Sequence, residues 1–127
     1  MIKIILFVLL LFFDAEGFKI ENRYDTAHQK ALKSDKILMV YLTKKNCPDC
    51  NKELIKIRNN KKIASLIEKD SIFVVVYQKQ KGSYPIEMLY TTYYPALFFL
   101  DKYELFICEA LQKNIKPQET INCLKQK

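Results

Sequence analysis

Two cysteines separated by two residues, Cys47-Pro48-Asp49-Cys50, can close a small disulfide ring or open to a dithiol, and only a thiolate attacks another disulfide. At the start of a helix the first sulfur sits where unpaired backbone N–H groups and the helix dipole favour negative charge. Pro48 suits that first turn, where no backbone donor is needed. In this reading Cys47, the outer residue, forms the mixed disulfide with a substrate, and Cys50, one turn inward, resolves it. Lys44 and Lys45 add positive potential beside the pair, whereas Asp49 opposes ionisation of Cys47, so opposing effects set its redox potential. The same spacing serves soft metals, copper(I) and zinc. A metal-handling module therefore stays open as an alternative, as does a redox-silent interaction domain. A four-cysteine zinc site would need a second close pair, which Cys108 and Cys123 are too far apart to supply.

Such a pair works only where the chain positions it. Ile37 to Leu42 is a short apolar run rich in β-formers, as expected of a strand covered on both faces. The cysteines follow it directly, and Leu54 and Ile57 continue at helical spacing. Asn59-Asn60 interrupts that helix, Ile63, Leu66 and Ile67 resume it, and Ile72 to Tyr77 reads as a second buried strand. Upstream, Asp25-Thr26 caps a helix to about Lys33, Ser34-Asp35-Lys36 makes a turn, and a short leading strand fits near Phe18 to Glu21. Downstream of a polar loop, Gln78 to Ser83, residues Ile86, Leu89, Tyr90 and Tyr93 share one helical face, with Pro85 where that helix begins. Ala96 to Leu100 and Leu105 to Cys108, joined by Asp101-Lys102-Tyr103-Glu104, suit an antiparallel hairpin. Pro117 opens a last helix containing Ile121 and Leu124. The order predicts an α/β fold: a mixed central sheet of four or five strands with helices on both faces, ending in a β-hairpin plus helix.

With these elements in place, Lys36 to Cys50, the helix after it and Tyr93-Tyr94-Pro95-Ala96-Leu97-Phe98-Phe99-Leu100-Asp101 resemble thioredoxin-like proteins, over most of residues 24–127. The resemblance implies a thioredoxin-like fold and a thiol–disulfide oxidoreductase acting on protein cysteines. It also implies a cis bond at Tyr94-Pro95, with the backbone of Tyr94 holding an extended substrate chain in a groove beside the nucleophile. Two positions depart from the family. Asn46 stands where thioredoxins commonly carry a tryptophan, and Tyr41 stands where they carry a buried acid on the central strand. Glu53 or a bound water is then a candidate to deprotonate Cys50, and spacing selects neither. Cys108 falls on the predicted last strand and Cys123 on the final helix, elements that pack together in the family. A structural disulfide between them is feasible; the alternative is two buried small hydrophobes. His28, the one histidine, has no partner suggested by spacing and reads as structural or solvent-facing. Tyr84, Tyr90, Tyr93 and Tyr94 form either an aromatic rim to the site or ordinary packing.

Ten apolar residues, Ile4 to Phe13, follow Lys3 and precede Asp14-Ala15-Glu16-Gly17. That fits a signal-peptide apolar region, whereas a bilayer-spanning helix takes about 20 such residues. We expect residues 1–17 to be a cleavable signal and 18–127 a single domain, with an uncleaved N-terminal tether as the alternative. Loss of Lys3, Asp14 and Glu16 from 21 basic and 14 acidic residues leaves 20 and 12, a net +8. The lysines are scattered rather than clustered, which favours a solvated surface over a nucleic-acid interface. At 127 residues, half of them apolar and only two glycine, the chain suits one packed core rather than disorder or repeats. Export points to an oxidising compartment, the periplasm of a bacterium, and separately we expect a monomer without a cofactor. Beyond the reach of cytosolic reductases, it would need a membrane-bound redox partner.

Overall fold

The computed structural model describes residues 17–78 and 88–126. The predicted signal segment up to residue 16 lies outside them, as do Ser83, Tyr84, Pro85 and Ile86. Among the described residues no helix is long and apolar enough to cross a membrane.

Strand β2, Ile37–Thr43, is buried along its whole length, as an uninterrupted apolar run demands. Its alternation serves two cores. Ile37, Met39 and Tyr41 enter one, and Leu38, Val40 and Leu42 the other. Strand β3, Ser71–Tyr77, runs parallel to it, with Tyr41 opposite Val75. Strand β4, Ala96–Leu100, runs antiparallel on its other side, with Leu42 opposite Ala96. Two-residue strands finish the edges, β1 (Ile20–Glu21) on β3 and β5 (Leu111–Gln112) on β4, giving the order β1-β3-β2-β4-β5.

Helix α1, Tyr24–Ser34, covers one face through Tyr24, Ala27 and Ala31. The alanines bring its backbone close to the sheet, and Asp35 ends it in the left-handed region at φ 54°. Buried Glu21 ties β1 to this helix through Lys30 at 2.7 Å. That bond, with Lys19 adding to it, holds the Glu21 carboxyl below its ordinary value of 4.5 against the opposing effect of burial. Helices α2 (Pro48–Asn59), α3 (Lys61–Asp70) and α4 (Pro117–Leu124) cover the other face through Ile57, Ile63, Ile67, Ile121 and Leu124. Each such fully buried aliphatic side chain contributes about 1.5–3 kcal/mol relative to exposure. The break between α2 and α3 falls on Asn60. Its backbone N–H caps the end of α2 on Lys56, and its side chain accepts the Ile63 N–H at 3.1 Å to start α3.

Two expectations are corrected. The second arm of the C-terminal hairpin is not Leu105 to Cys108. Asp101 Oδ1 accepts the N–H groups of Tyr103 and Leu105, at 2.8 and 3.0 Å, and this side-chain turn diverts the backbone from a ladder. Phe106 makes only an isolated bridge to Leu100, and the paired strand comes later, at Leu111–Gln112. Nor does a helix reach Tyr93: residues 88–93 form turns and irregular chain. Thr91 Oγ1 accepts the Tyr93 N–H at 3.2 Å and donates to the Tyr93 carbonyl at 2.8 Å, taking backbone groups a helix would use.

Candidate active site

The cysteine pair sits where β2 hands over to α2. After Thr43 the chain turns through Lys44 and Lys45 to Asn46, whose φ of 56° lies in the left-handed region. Asparagine tolerates that conformation where bulkier side chains resist it, which gives residue 46 a local backbone role. Cys47 caps α2: its Sγ accepts the Cys50 N–H at 3.1 Å, with Pro48 in the first turn. Cys47 and Cys50 are joined by a disulfide with Cα atoms 5.2 Å apart. Cys47 is half-buried, while Cys50 is 1% exposed. A reagent from solvent therefore meets Cys47 first. On reduction, the capping N–H and the helix dipole stabilise a Cys47 thiolate.

Tyr41 lies beneath the pair with its ring fully buried, stacked on Phe73 at 6.1 Å. Its hydroxyl donates to the Cys50 carbonyl. Burial first, and then the nearby charge of Glu53, push its ionisation far above the ordinary range, against a smaller opposing effect from the Leu54 backbone. Tyr41 thus stays neutral and fastens strand to helix. Glu53, one turn beyond Cys50, is 6% exposed. Its Oε1 is 3.6 Å from Lys56 Nζ, and its Oε2 has no hydrogen-bond partner among the described residues. An unpaired buried acceptor costs about 1–3 kcal/mol, more when charged. Sequence spacing named Glu53 without selecting it; its burial is the observation that singles it out.

Register carries the second part of the site to the same end of the sheet. Ala96 pairs with Leu42, so Pro95 stands level with the end of β2, and the Tyr94-Pro95 bond is cis. Lys44 Nζ lies 5.1 Å from the centre of the Tyr94 ring, joining the cysteine loop to the proline loop by a cation–π contact. Strand β5 braces that loop. The Lys113 N–H donates to the Pro95 carbonyl at 2.8 Å, and Gln112 Nε2 donates to Thr91 Oγ1 at 2.9 Å. Thr91 and Gln112 carried no sequence signal, because their part depends on a two-residue strand that pattern reading does not detect. Tyr90 and Tyr93 are exposed at this rim, and Lys113 Nζ sits 5.7 Å from the Tyr93 ring centre; Tyr84 lies outside the described residues.

A thioredoxin-like family model matches residues 19–102, which include the cysteine pair and Pro95. The chain belongs to the thioredoxin-like family. Solved structures share this thioredoxin-like fold. A protein titled DsbH oxidoreductase is 18% identical at a TM-score of 0.67, over 89% of this chain and 88% of its own. A thioredoxin from Thermus thermophilus is 19% identical at a TM-score of 0.65, over 87% of this chain and 86% of its own. A structure of ferredoxin:thioredoxin reductase in complex with thioredoxin f2 gives a TM-score of 0.64 at 12% identity, over 87% of this chain and 96% of that one. No curated protein sequence matches. With a thioredoxin-like fold and a C-x-x-C pair closed at a helix start, this molecule has the working parts of a thiol–disulfide oxidoreductase.

The other two cysteines form a second bond, Cys108 to Cys123. Cys123 is on α4 and buried, and Cys108 lies in the irregular chain between β4 and β5. His28 is remote from the pair. Its Nε2 is 2.8 Å from the Lys102 carbonyl and its Nδ1 3.7 Å from Glu104, so it helps hold the 101–105 turn to α1.

Proposed function

We propose that this protein is an extracytoplasmic thiol–disulfide oxidoreductase that exchanges disulfides with protein cysteines through Cys47 and Cys50. The observation that carries the reading is the asymmetry of the pair: an accessible sulfur capping α2, and a buried one beneath it. In the reducing direction the Cys47 thiolate attacks a substrate disulfide. A Cys47–substrate S–S bond forms, the substrate bond breaks, and the departing sulfur takes the electron pair and a proton. Cys50 then attacks Cys47, releasing the second substrate thiol and leaving the Cys47–Cys50 disulfide. The oxidising direction is the reverse. Tyr94 and Pro95 border the groove for the substrate chain, with Lys44 and the exposed tyrosines at its rim. The apolar run Ile4 to Phe13 supports export, with cleavage after Gly17 and a periplasmic address. There a membrane-bound partner would exchange electrons with the pair.

Insulin reduction and refolding of a scrambled disulfide protein test the activity. Cys47→Ser abolishes turnover in both, whereas Cys50→Ser accumulates the mixed disulfide. Titration against glutathione or dithiothreitol buffers then sets direction: a potential near about −270 mV marks a reductant, and one near about −120 mV an oxidant of folding proteins. Absence of a reversible couple would refute the proposal.

A further inference from the structure

A disulfide has no S–H, so Cys50 offers no sulfur-bound proton in the oxidised state described above. Reduction creates one in a buried layer already holding an unmatched acceptor, Oε2 of Glu53. Cys50 and Glu53 stand three residues apart on α2, and both are buried; such spacing places side chains on one face of a helix. The neighbouring Tyr41 hydroxyl is committed to the Cys50 carbonyl. Lys56, on the same helix and half-exposed, lies nearest the other carboxylate oxygen, beyond hydrogen-bond distance at 3.6 Å. Around it α3, β3, β4 and α4 contribute apolar residues, among them Ile63, Ile67, Phe73, Leu97 and Ile121, and the buried polar residues of β3 and α4, Ser71 and Thr120, are alcohols rather than acids or bases. Tyr41 from β2, whose ionisation the charge of Glu53 opposes, and Lys56 are titratable groups beside this carboxylate.

We infer that Glu53 is the proton acceptor for Cys50 during closure of the Cys47–Cys50 disulfide, doing from the helix what the residue at Tyr41 cannot do from the strand. This rests on the oxidoreductase reading. In the step, the Cys50 thiol gives its proton to the Glu53 carboxylate. The resulting thiolate attacks Cys47 of the mixed disulfide, a Cys47–Cys50 bond forms, and the Cys47–substrate bond breaks. The electron pair leaves on the substrate sulfur, which is then protonated through solvent. The protein dithiol is oxidised by two electrons and the substrate disulfide is reduced by the same two. Lys56, close to the carboxylate and half in water, marks the side on which the proton reaches solvent.

The test mixes reduced protein with oxidised glutathione and follows, by acid quench and mass spectrometry, first the Cys47–glutathione adduct and then its closure. Glu53→Gln is expected to leave adduct formation unchanged and slow closure at pH 7 by about 10-fold or more, in the range of general-base effects. The gap closes towards about pH 9, where a thiol ionises unaided. Glu53→Asp, which keeps a carboxylate on a shorter stem, restores part of the rate. Closure as fast in Glu53→Gln as in the parent overturns this inference alone. So does equal slowing of the Gln and Asp variants without pH dependence, which would indicate packing. If the parent forms no adduct, the oxidoreductase reading falls with it.

Discussion

At the scale of single residues, the site is defined by which polar groups are paired. Tyr41 is held neutral by burial and spends its hydroxyl on the Cys50 carbonyl. Tyr41→Phe removes that donor while the ring still fills its space against Phe73, so urea unfolding should show a loss of about 0.5–1.5 kcal/mol. Because Tyr41 is a fastening rather than a base, the pH profile of disulfide closure should stay as in the parent. The sequence announced Cys47 and Cys50 through their spacing, and it flagged Tyr41 and Asn46 as departures. The reasons behind those departures were not legible. That residue 46 sits at positive φ, and that Glu53 is buried with an unmatched oxygen, depends on how a strand end meets a helix start, which no local pattern encodes.

Elements follow the same logic one level up. Long apolar runs and helical spacing located β2, β3, β4, α1 and α4 within a residue or two, since each is set by a periodicity its own segment carries. The break at Asn59-Asn60 was also visible, and the structure gives its mechanism: Asn60 closes one helix and opens the next. Asn60→Ala should cost about 1 kcal/mol, as loss of a helix-capping side chain commonly does. Chemical denaturation measures this, and an unchanged midpoint would show that water replaces the cap. The two mistaken elements share a cause. The residue 88–93 turn and the 101–105 turn are built by the side chains of Thr91 and Asp101 bonding to nearby backbone, and such short-range competition overrides apolar spacing. Strand β5 is too brief to have a pattern at all.

For the whole molecule, both disulfides lie on the face covered by α2, α3 and α4, while α1 holds the opposite face without a covalent tie. The Cys108–Cys123 bond spans a sequence separation of 15 and fastens the chain after β4 to α4. A crosslink of that span contributes about 3 kcal/mol on the chain-entropy estimate. Replacing both cysteines by alanine should therefore lower Tm by about 10 °C for a domain of this size, read by calorimetry, with the Cys47–Cys50 couple unchanged. The two-residue edge strands bear on a different property. A sheet whose middle strand is apolar from Ile37 to Leu42 would, at a long bare edge, template the stacking of other chains. Here that strand is third of five, its ladder satisfied along one side by β3 and along the other by β4, and the strands at the margins are only two residues long, so the cost of so apolar a centre is kept out of the protein's colloidal behaviour.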